Sequence, residues 1–346
     1  MEHTLSIKNA LLNGPLGFGT APLGNMFRSI SDDEAASTLE AAWAAGIRYF
    51  DTAPFYGAGL AEIRLGQELA KHQRNEYIIS TKVGRVVLNE IMEESRVSGR
   101  HNKLFKYGKK NKIIFDYTAD GVECSICGSL KRLGVDYIDF VWIHDLAQDA
   151  LGDGWIDQFE IAHNGAMRVL DQLRDQGVIK GWGLGVNRVE PVELVLSLTD
   201  VHPDSTLLAG RYTLLDHERA LQHLMPTALA CNVQIVIGGP YNSGILVGGS
   251  HFEYVDAPPN IIARVKRLQK LTDRYSISIK AAALQFSLAH LATVAVIPGA
   301  SKPERIQEDH DALAAKIPDE FWQDLRREGL VALNAPLPID IDDFSR

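Results

Sequence analysis

Cysteine is scarce in this chain of 346 residues: Cys124, Cys127 and Cys231 are the only three. An odd, sparse set builds no disulfide framework, so a reducing, cytoplasmic setting is expected. Long apolar runs are missing too. No stretch approaches the roughly 20 uncharged residues of a membrane span. The opening MEHTLSIKNALLNGP has no basic region followed by an apolar one, so no secretory signal is expected. Positive charge is in deficit, with 35 Lys and Arg against 44 Asp and Glu and a net charge of -9. That balance argues against a general binder of nucleic acid or anionic membrane. No low-complexity linker divides the chain. What remains is a globular chain, 46% hydrophobic, of a length that suits either one large α/β barrel or two smaller domains, and whose expected partner is a small molecule.

Cys124 and Cys127 form a C-x-x-C, but within ADGVECSICGSLKRLG, where Val122, Ile126, Leu130 and Leu133 recur at helical spacing. A helix with that stripe buried puts Cys124 on its far side and Cys127 on its flank. A redox pair belongs at a helix N-terminus after a strand, and a zinc site needs further ligands. Two incidental helix cysteines are the reading, and no metal is expected.

Strand-like and helix-like segments alternate. The strand candidates are LGFGT (16–20), IRYFD (47–51), EYIISTK (76–82), YIDFVWIH (137–144), GWGLGVN (181–187), STLLAGRY (205–212), VQIVIGG (233–239) and TVAVIPG (293–299). Each leads into a helical stretch. Ser31 opens the first, with Asp32, Asp33 and Glu34 in its first turn, and Gly177 ends another near 158–176. Eight βα units with apolar, β-branched strands predict a closed parallel (β/α)8 barrel, a single domain over 1–346 with long βα loops.

Four residues follow such runs: Asp51 and Tyr56 in RYFDTAPFYG, Lys82 in IISTKVG and His144 in FVWIHD. All fall at or just past a strand's C-terminal end, where a barrel keeps its chemistry. A lysine ammonium held beside a phenol by a carboxylate favours the phenolate, so the four read as a proton-transfer set. Each alone has an ordinary reading: a snorkelling lysine, a turn-capping aspartate, a packed tyrosine, a backbone-bonded histidine. It is their combination that points to catalysis. A dinucleotide fold of the open-sheet type is disfavoured, since GFGTAPLG gives G-x-G-x-x-x-x-G with no strand-ending acid about 20 residues on. Two later loops, GGPYNSGILVGG (238–249) and IPGASKPERIQED (297–309), offer glycine N–H groups and hydroxyls to phosphates after strands 7 and 8.

With these motifs, from GFGTAPLG to IPGASKPERIQED, the chain resembles the aldo-keto reductases over nearly its whole length. The resemblance implies catalysis by Asp51, Tyr56, Lys82 and His144 with NAD or NADP. It implies cofactor contacts from Gly19, Thr20, Asp51 and Asn187. Further contacts come from Gly239, Pro240, Tyr241, Asn242, Gly244 and Leu246, and from Gly299, Ala300, Ser301, Arg305, Glu308 and Asp309. The chain departs from the family pattern at Asn187-Arg188 in place of Ser-Asn and at Ala209 in place of glutamine. Gly238 replaces the aromatic that often stacks under nicotinamide. Gly299 replaces a lysine that grips a 2′-phosphate, which tilts the expectation slightly toward NAD.

FDYTADGV (115–122), SLKRLGVDYID (129–139) and LLAGRYTLLD (207–216) resemble the branch with L-fucose, D-threo-aldose and galactose dehydrogenases and a pyridoxal 4-dehydrogenase. That implies oxidation of a cyclic hemiacetal to a lactone, a monosaccharide ahead of pyridoxal. The alternatives are a broad aldehyde reductase and, in another class, a cofactor-binding regulatory subunit. Met26, Phe27, Phe55 and Trp142 are the candidate apolar wall of the substrate site. Between Gly84 and Asp116, eight Lys and Arg face four acids, net +4. A basic insertion over 85–117 is expected, read first as a solvated, mobile loop and second as a lid or anion trap. The acidic tail 331–346 is expected to cover the site's mouth or to be disordered.

Overall fold

The computed structural model describes residues 7–92 and 104–340. Eight strands form the barrel: β1 Phe18–Gly19, β2 Tyr49–Asp51, β3 Ile78–Val83, β4 Phe140–His144, β5 Gly181–Val186, β6 Ser205–Ala209, β7 Gln234–Gly238 and β8 Thr293–Ile297. Neighbours pair in parallel in that order. Parallel bridges Leu16 to Val296 and Gly19 to Gly299 close the ring. All eight strand candidates are therefore strands, and the (β/α)8 barrel is the fold.

Local chemistry sets the helix ends. Ser31 caps Asp32–Ala44 through a full capping box with Glu34. Thr118 caps Ala119–Leu133, and Gly134, in the left-handed region, ends it. The predicted helix near 158–176 starts earlier, at Trp155, and carries one π turn, His163–Met167, before Arg168–Asp175. On Ala119–Leu133 the buried positions are Gly121, Val122, Ser125, Ser129 and Leu133, so Cys124 and Cys127 are exposed, unpaired thiols. The inner face of the barrel is filled by Tyr49, Phe140, Trp142, Leu207, Val236 and Ala295, with Ile7 and Ala10 packed into the same cluster.

The stretch after β3 departs from expectation. Arg85–Ile91 and Asn111–Phe115 form an antiparallel hairpin. Its return path packs Leu104 and Phe105 against Phe55. Arg85 is buried and salt-bridged to Asp145, while Lys106, Lys109 and Lys110 face solvent. The solvated reading thus holds for these lysines, while Leu104, Phe105 and Arg85 are packed against the barrel. Arg96, Arg100, Lys103, Glu93 and Glu94 lie outside the described residues.

The tail is also packed as far as Asp340. Ala335 and Leu337 are fully buried. Arg326 donates to the Ala335 carbonyl at 3.0 Å, and the Ala332 N–H donates to His217 Nε2 at 3.0 Å. None of its described residues lines the site's mouth; residues 341–346 lie outside the description.

Candidate active site

Asp51 ends β2 and Lys82 lies near the end of β3, with Ser80 directly opposite Asp51. Lys82 is two residues beyond Ser80, so all three side chains share the inner face. Lys82 Nζ donates to Asp51 Oδ2 at 2.6 Å and to the Thr52 carbonyl at 2.9 Å. Ser80 Oγ and Trp142 Nε1 donate to Asp51 Oδ1 at 2.7 and 3.0 Å. Trp142 therefore lies beneath the site as a support for Asp51. It is fully buried and lines neither pocket, so it is no part of the substrate wall.

Tyr56 is brought in by the loop after β2. Its backbone is pressed against the loop after β1: a Cβ on Gly24 would lie 2.6 Å from the Tyr56 carbonyl carbon. Gly57, at φ +66°, leaves equally little room. These contacts explain Gly24 in GFGTAPLG, which serves packing rather than phosphate binding. Lys82 Nζ sits 4.9 Å from the Tyr56 ring centre, and the His144 ring meets it edge-on at 5.9 Å and 89°. The Tyr117 hydroxyl holds the His144 carbonyl at 2.8 Å. The structure thus gathers Asp51, Tyr56, Lys82 and His144 in one place.

The Tyr56 phenol is not lowered as expected. Burial first, then the Asp51 and Asp145 carboxylates, push it well above 10, with Arg85 opposing. Burial is the largest cause, and Lys82, 4.9 Å from the ring centre, has its own charge engaged by Asp51.

A cleft of about 600 Å³ opens over this group. Of the expected cofactor residues, Gly19, Asp51, Asn187, Gly239, Pro240, Tyr241, Asn242, Gly244, Gly299, Ala300, Ser301 and Arg305 line it. Thr20, Leu246, Glu308 and Asp309 do not. Thr20 and Leu246 are packed in the interior. Glu308 is bound to Lys280, and Asp309 takes Lys280 at 2.9 Å and the Tyr241 hydroxyl at 2.6 Å, so it braces a cleft residue from behind. Arg28 and Lys302 join Arg305 on the wall, and Arg28 reaches Ser301 Oγ at 3.1 Å. The cleft's size, its glycine backbone and this cationic end fit a dinucleotide.

An inner recess of about 80 Å³ holds Tyr56, Lys82 and His144 together with Phe55, Leu104, Phe105, Asp145 and Tyr254. Phe105 stacks on Tyr56 at 5.7 Å and meets Phe55 edge-on at 5.1 Å. Met26 lines both spaces, whereas Phe27 lines the outer cleft alone, half exposed and stacked on His251. Tyr254 comes from a tight hairpin, His251–Phe252 with Val255–Asp256, and donates to Asn187 Oδ1 at 3.3 Å. Sequence reasoning missed Leu104, Phe105, Asp145 and Tyr254. Only the apolar pair Leu104-Phe105 inside a basic stretch gave a signal.

The Aldo/keto reductase family model matches residues 15–328. The chain belongs to this family and is an NAD(P)-dependent oxidoreductase. It is 40% identical over 331 residues to a pyridoxal 4-dehydrogenase of Microbacterium luteolum, covering 92% of this chain and 94% of that protein. It is 34% identical over 322 residues to a D-threo-aldose 1-dehydrogenase of a Pseudomonas species, covering 91% and 94%. The fold is similar to a holo-form aldo-keto reductase from Bacillus halodurans, with a TM-score of 0.69 and 24% identity over 94% of this chain and 95% of that one. Among the described residues no helix is long and apolar enough to cross a membrane.

Proposed function

We propose that the protein oxidises a cyclic hemiacetal to a lactone, with a planar aromatic hemiacetal of the pyridoxal type ahead of a monosaccharide. The observation that carries this order is the aromatic wall of the recess. Phe55, Phe105 and Tyr254 stand around Tyr56 and His144; Arg85 covers one face of Phe55 and Phe105 stacks on Tyr56, so the wall offers a flat ring the remaining aromatic edges and faces. This reverses the order drawn from the motifs, which assigned too few aromatics to the site. The pyridoxal 4-dehydrogenase relative supports the same order.

In this reading Tyr56 accepts the proton of the substrate hydroxyl, and His144 donates a hydrogen bond that orients the same oxygen. Tyr56 enters this step as the phenolate, and Lys82, fixed by Asp51 and the Thr52 carbonyl, places a cation beside that form. A nicotinamide bound in the cleft supplies the hydride acceptor. Asn187 would hold its amide end, the 238–249 and 297–309 loops would hold its phosphates, and Arg305 with Arg28 and Lys302 would receive the adenosine end. Gly299 contributes no cation, while those three basic residues accommodate a 2′-phosphate, so both NAD and NADP are accepted.

Product analysis tests the reading. Pyridoxal with NAD or NADP should give pyridoxolactone, and at a higher kcat/KM than L-fucose, D-arabinose or L-galactose gives an aldonolactone. A higher kcat/KM for a sugar restores the aldose order. Reduction of simple aldehydes without oxidation of either class rejects the hemiacetal reading.

A further inference from the structure

One buried charged pair, Asp145 on the wall of the recess and Arg85 behind it, has no part in the mechanism above. His144 and Asp145 are consecutive at the end of β4, and on a strand their side chains would point to opposite faces. Asp145 instead has φ +52°, in the left-handed region that aspartate tolerates better than most residues. Its N–H is held by the Gly185 carbonyl at 3.0 Å, and its own carbonyl accepts from Ala147 at 2.8 Å. Both His144 and Asp145 consequently line the recess. Asp145 Oδ2 lies 3.5 Å from His144 Nε2 and accepts from the Arg85 guanidinium at 2.6 Å.

Arg85 is placed with comparable care. It is 5% exposed, and its guanidinium sits 4.0 Å from the Phe55 ring centre and 4.3 Å from that of Phe115. Phe55 is the neighbour of Tyr56, and Phe115 closes the hairpin. A buried ion pair is in general no more stabilising than a well-packed apolar pair. Its position against both proton-handling side chains therefore calls for another reason.

We propose that Asp145 is a positioning residue acting through His144 and Tyr56, and that Arg85, clamped between Phe55 and Phe115, anchors it. This rests on the dehydrogenase reading above for its role in turnover, but not for its geometry. Asp145 orients the imidazole and biases it toward its proton-donating form. Arg85 keeps that carboxylate charged in the recess and limits how far its field reaches the phenol. The two act on Tyr56 with opposite sign: the carboxylate pushes the phenol up and the guanidinium pulls it down. The ionisable groups facing His144 and Tyr56 here are Asp51, Lys82, Arg85, Asp145 and Tyr254.

The test is an NMR titration of the His144 imidazole, its resonance assigned by loss in His144→Gln. Wild type, Asp145→Asn, Arg85→Lys, Arg85→Met and the Arg85→Met/Asp145→Asn double variant are compared, with circular dichroism as the folding check. The midpoint should fall by about half a pH unit or more in Asp145→Asn and rise in Arg85→Met. It should return toward wild type in the double variant, because the charges cancel. If Arg85→Met does not fold, Arg85→Lys keeps the charge without the guanidinium fork and should move the midpoint less. An unchanged midpoint in folded Asp145→Asn overturns the proposal. Kinetics with pyridoxal should show kcat down about tenfold in Asp145→Asn with nucleotide Kd unaltered. The titration is read without turnover, so a wild type inactive on every hemiacetal would reject the proposed reaction and leave the positioning result standing.

Discussion

Lys82 Nζ and Asp51 Oδ2 lie 2.6 Å apart at the mouth of the barrel, each about 2% exposed. Adjacent parallel strands put them there, and the pair is the base on which Tyr56 rests. A buried carboxylate that loses its cation is left uncompensated. Lys82→Met should therefore cost about 3–5 kcal/mol of stability, toward the lower end because Ser80 and Trp142 still donate to Asp51. Urea denaturation measures this, and Asp51→Asn added to Lys82→Met should recover part of the loss.

Tyr56→Phe removes the transferable proton and little volume. Turnover should drop by about 10²–10⁴-fold, while nucleotide affinity by fluorescence titration stays at the wild-type value. Near-normal kcat in this variant would take Tyr56 out of the proton-transfer step.

The Tyr254 hydroxyl, held on Asn187 at 3.3 Å, occupies the amide proposed to receive the nicotinamide carboxamide. A carboxamide that donates to the same Oδ1 competes with it for that acceptor. Tyr254→Phe should tighten nucleotide binding by about 1 kcal/mol, roughly fivefold in Kd. Weaker binding would make the phenol a cofactor contact instead.

At the other end of the cleft, Arg305→Ala and Arg28→Ala should each weaken NADP more than NAD, since a guanidinium gains a charge-assisted bond only from the 2′-phosphate. Equal losses for the two nucleotides would assign these arginines to adenine packing or to pyrophosphate.

Two buried histidines set an acid limit. Burial lowers His290 to about 4 and His217 below its usual 6.5. Both accept a backbone N–H, from Ala292 and Ala332, which requires an unprotonated ring nitrogen. The folded state resists their protonation while the unfolded chain binds the proton near 6.5. For His290 this contribution is full above pH 6.5 and is lost as pH falls from there to about 4, and that of His217 falls away below 6.5 as well. For His290 the loss is about 3 kcal/mol. His290→Gln should flatten the fall in melting temperature across that window.

Sequence alone determined what local rules govern. Apolar runs of strand length gave all eight barrel strands, Ser31 with Glu34 gave a capped helix, and strand-end positions gave Asp51, Lys82 and His144 as a set. These follow from periodicity, capping and the barrel's polarity, which depend on residues a few positions apart. Tertiary structure alone decided what distant residues do to one another. Arg85 reads as one more cation in a basic stretch, yet it is buried against Asp145, 60 residues away. Trp142 reads as a wall residue, yet its indole supports Asp51 from below. Phe105 and Tyr254 reach the recess from two hairpins, and Asp145 turns into it through one positive φ. Loop conformation carries no repeating pattern, and a side chain's charge and burial are fixed by what packs on it, so these placements emerge only when the barrel closes.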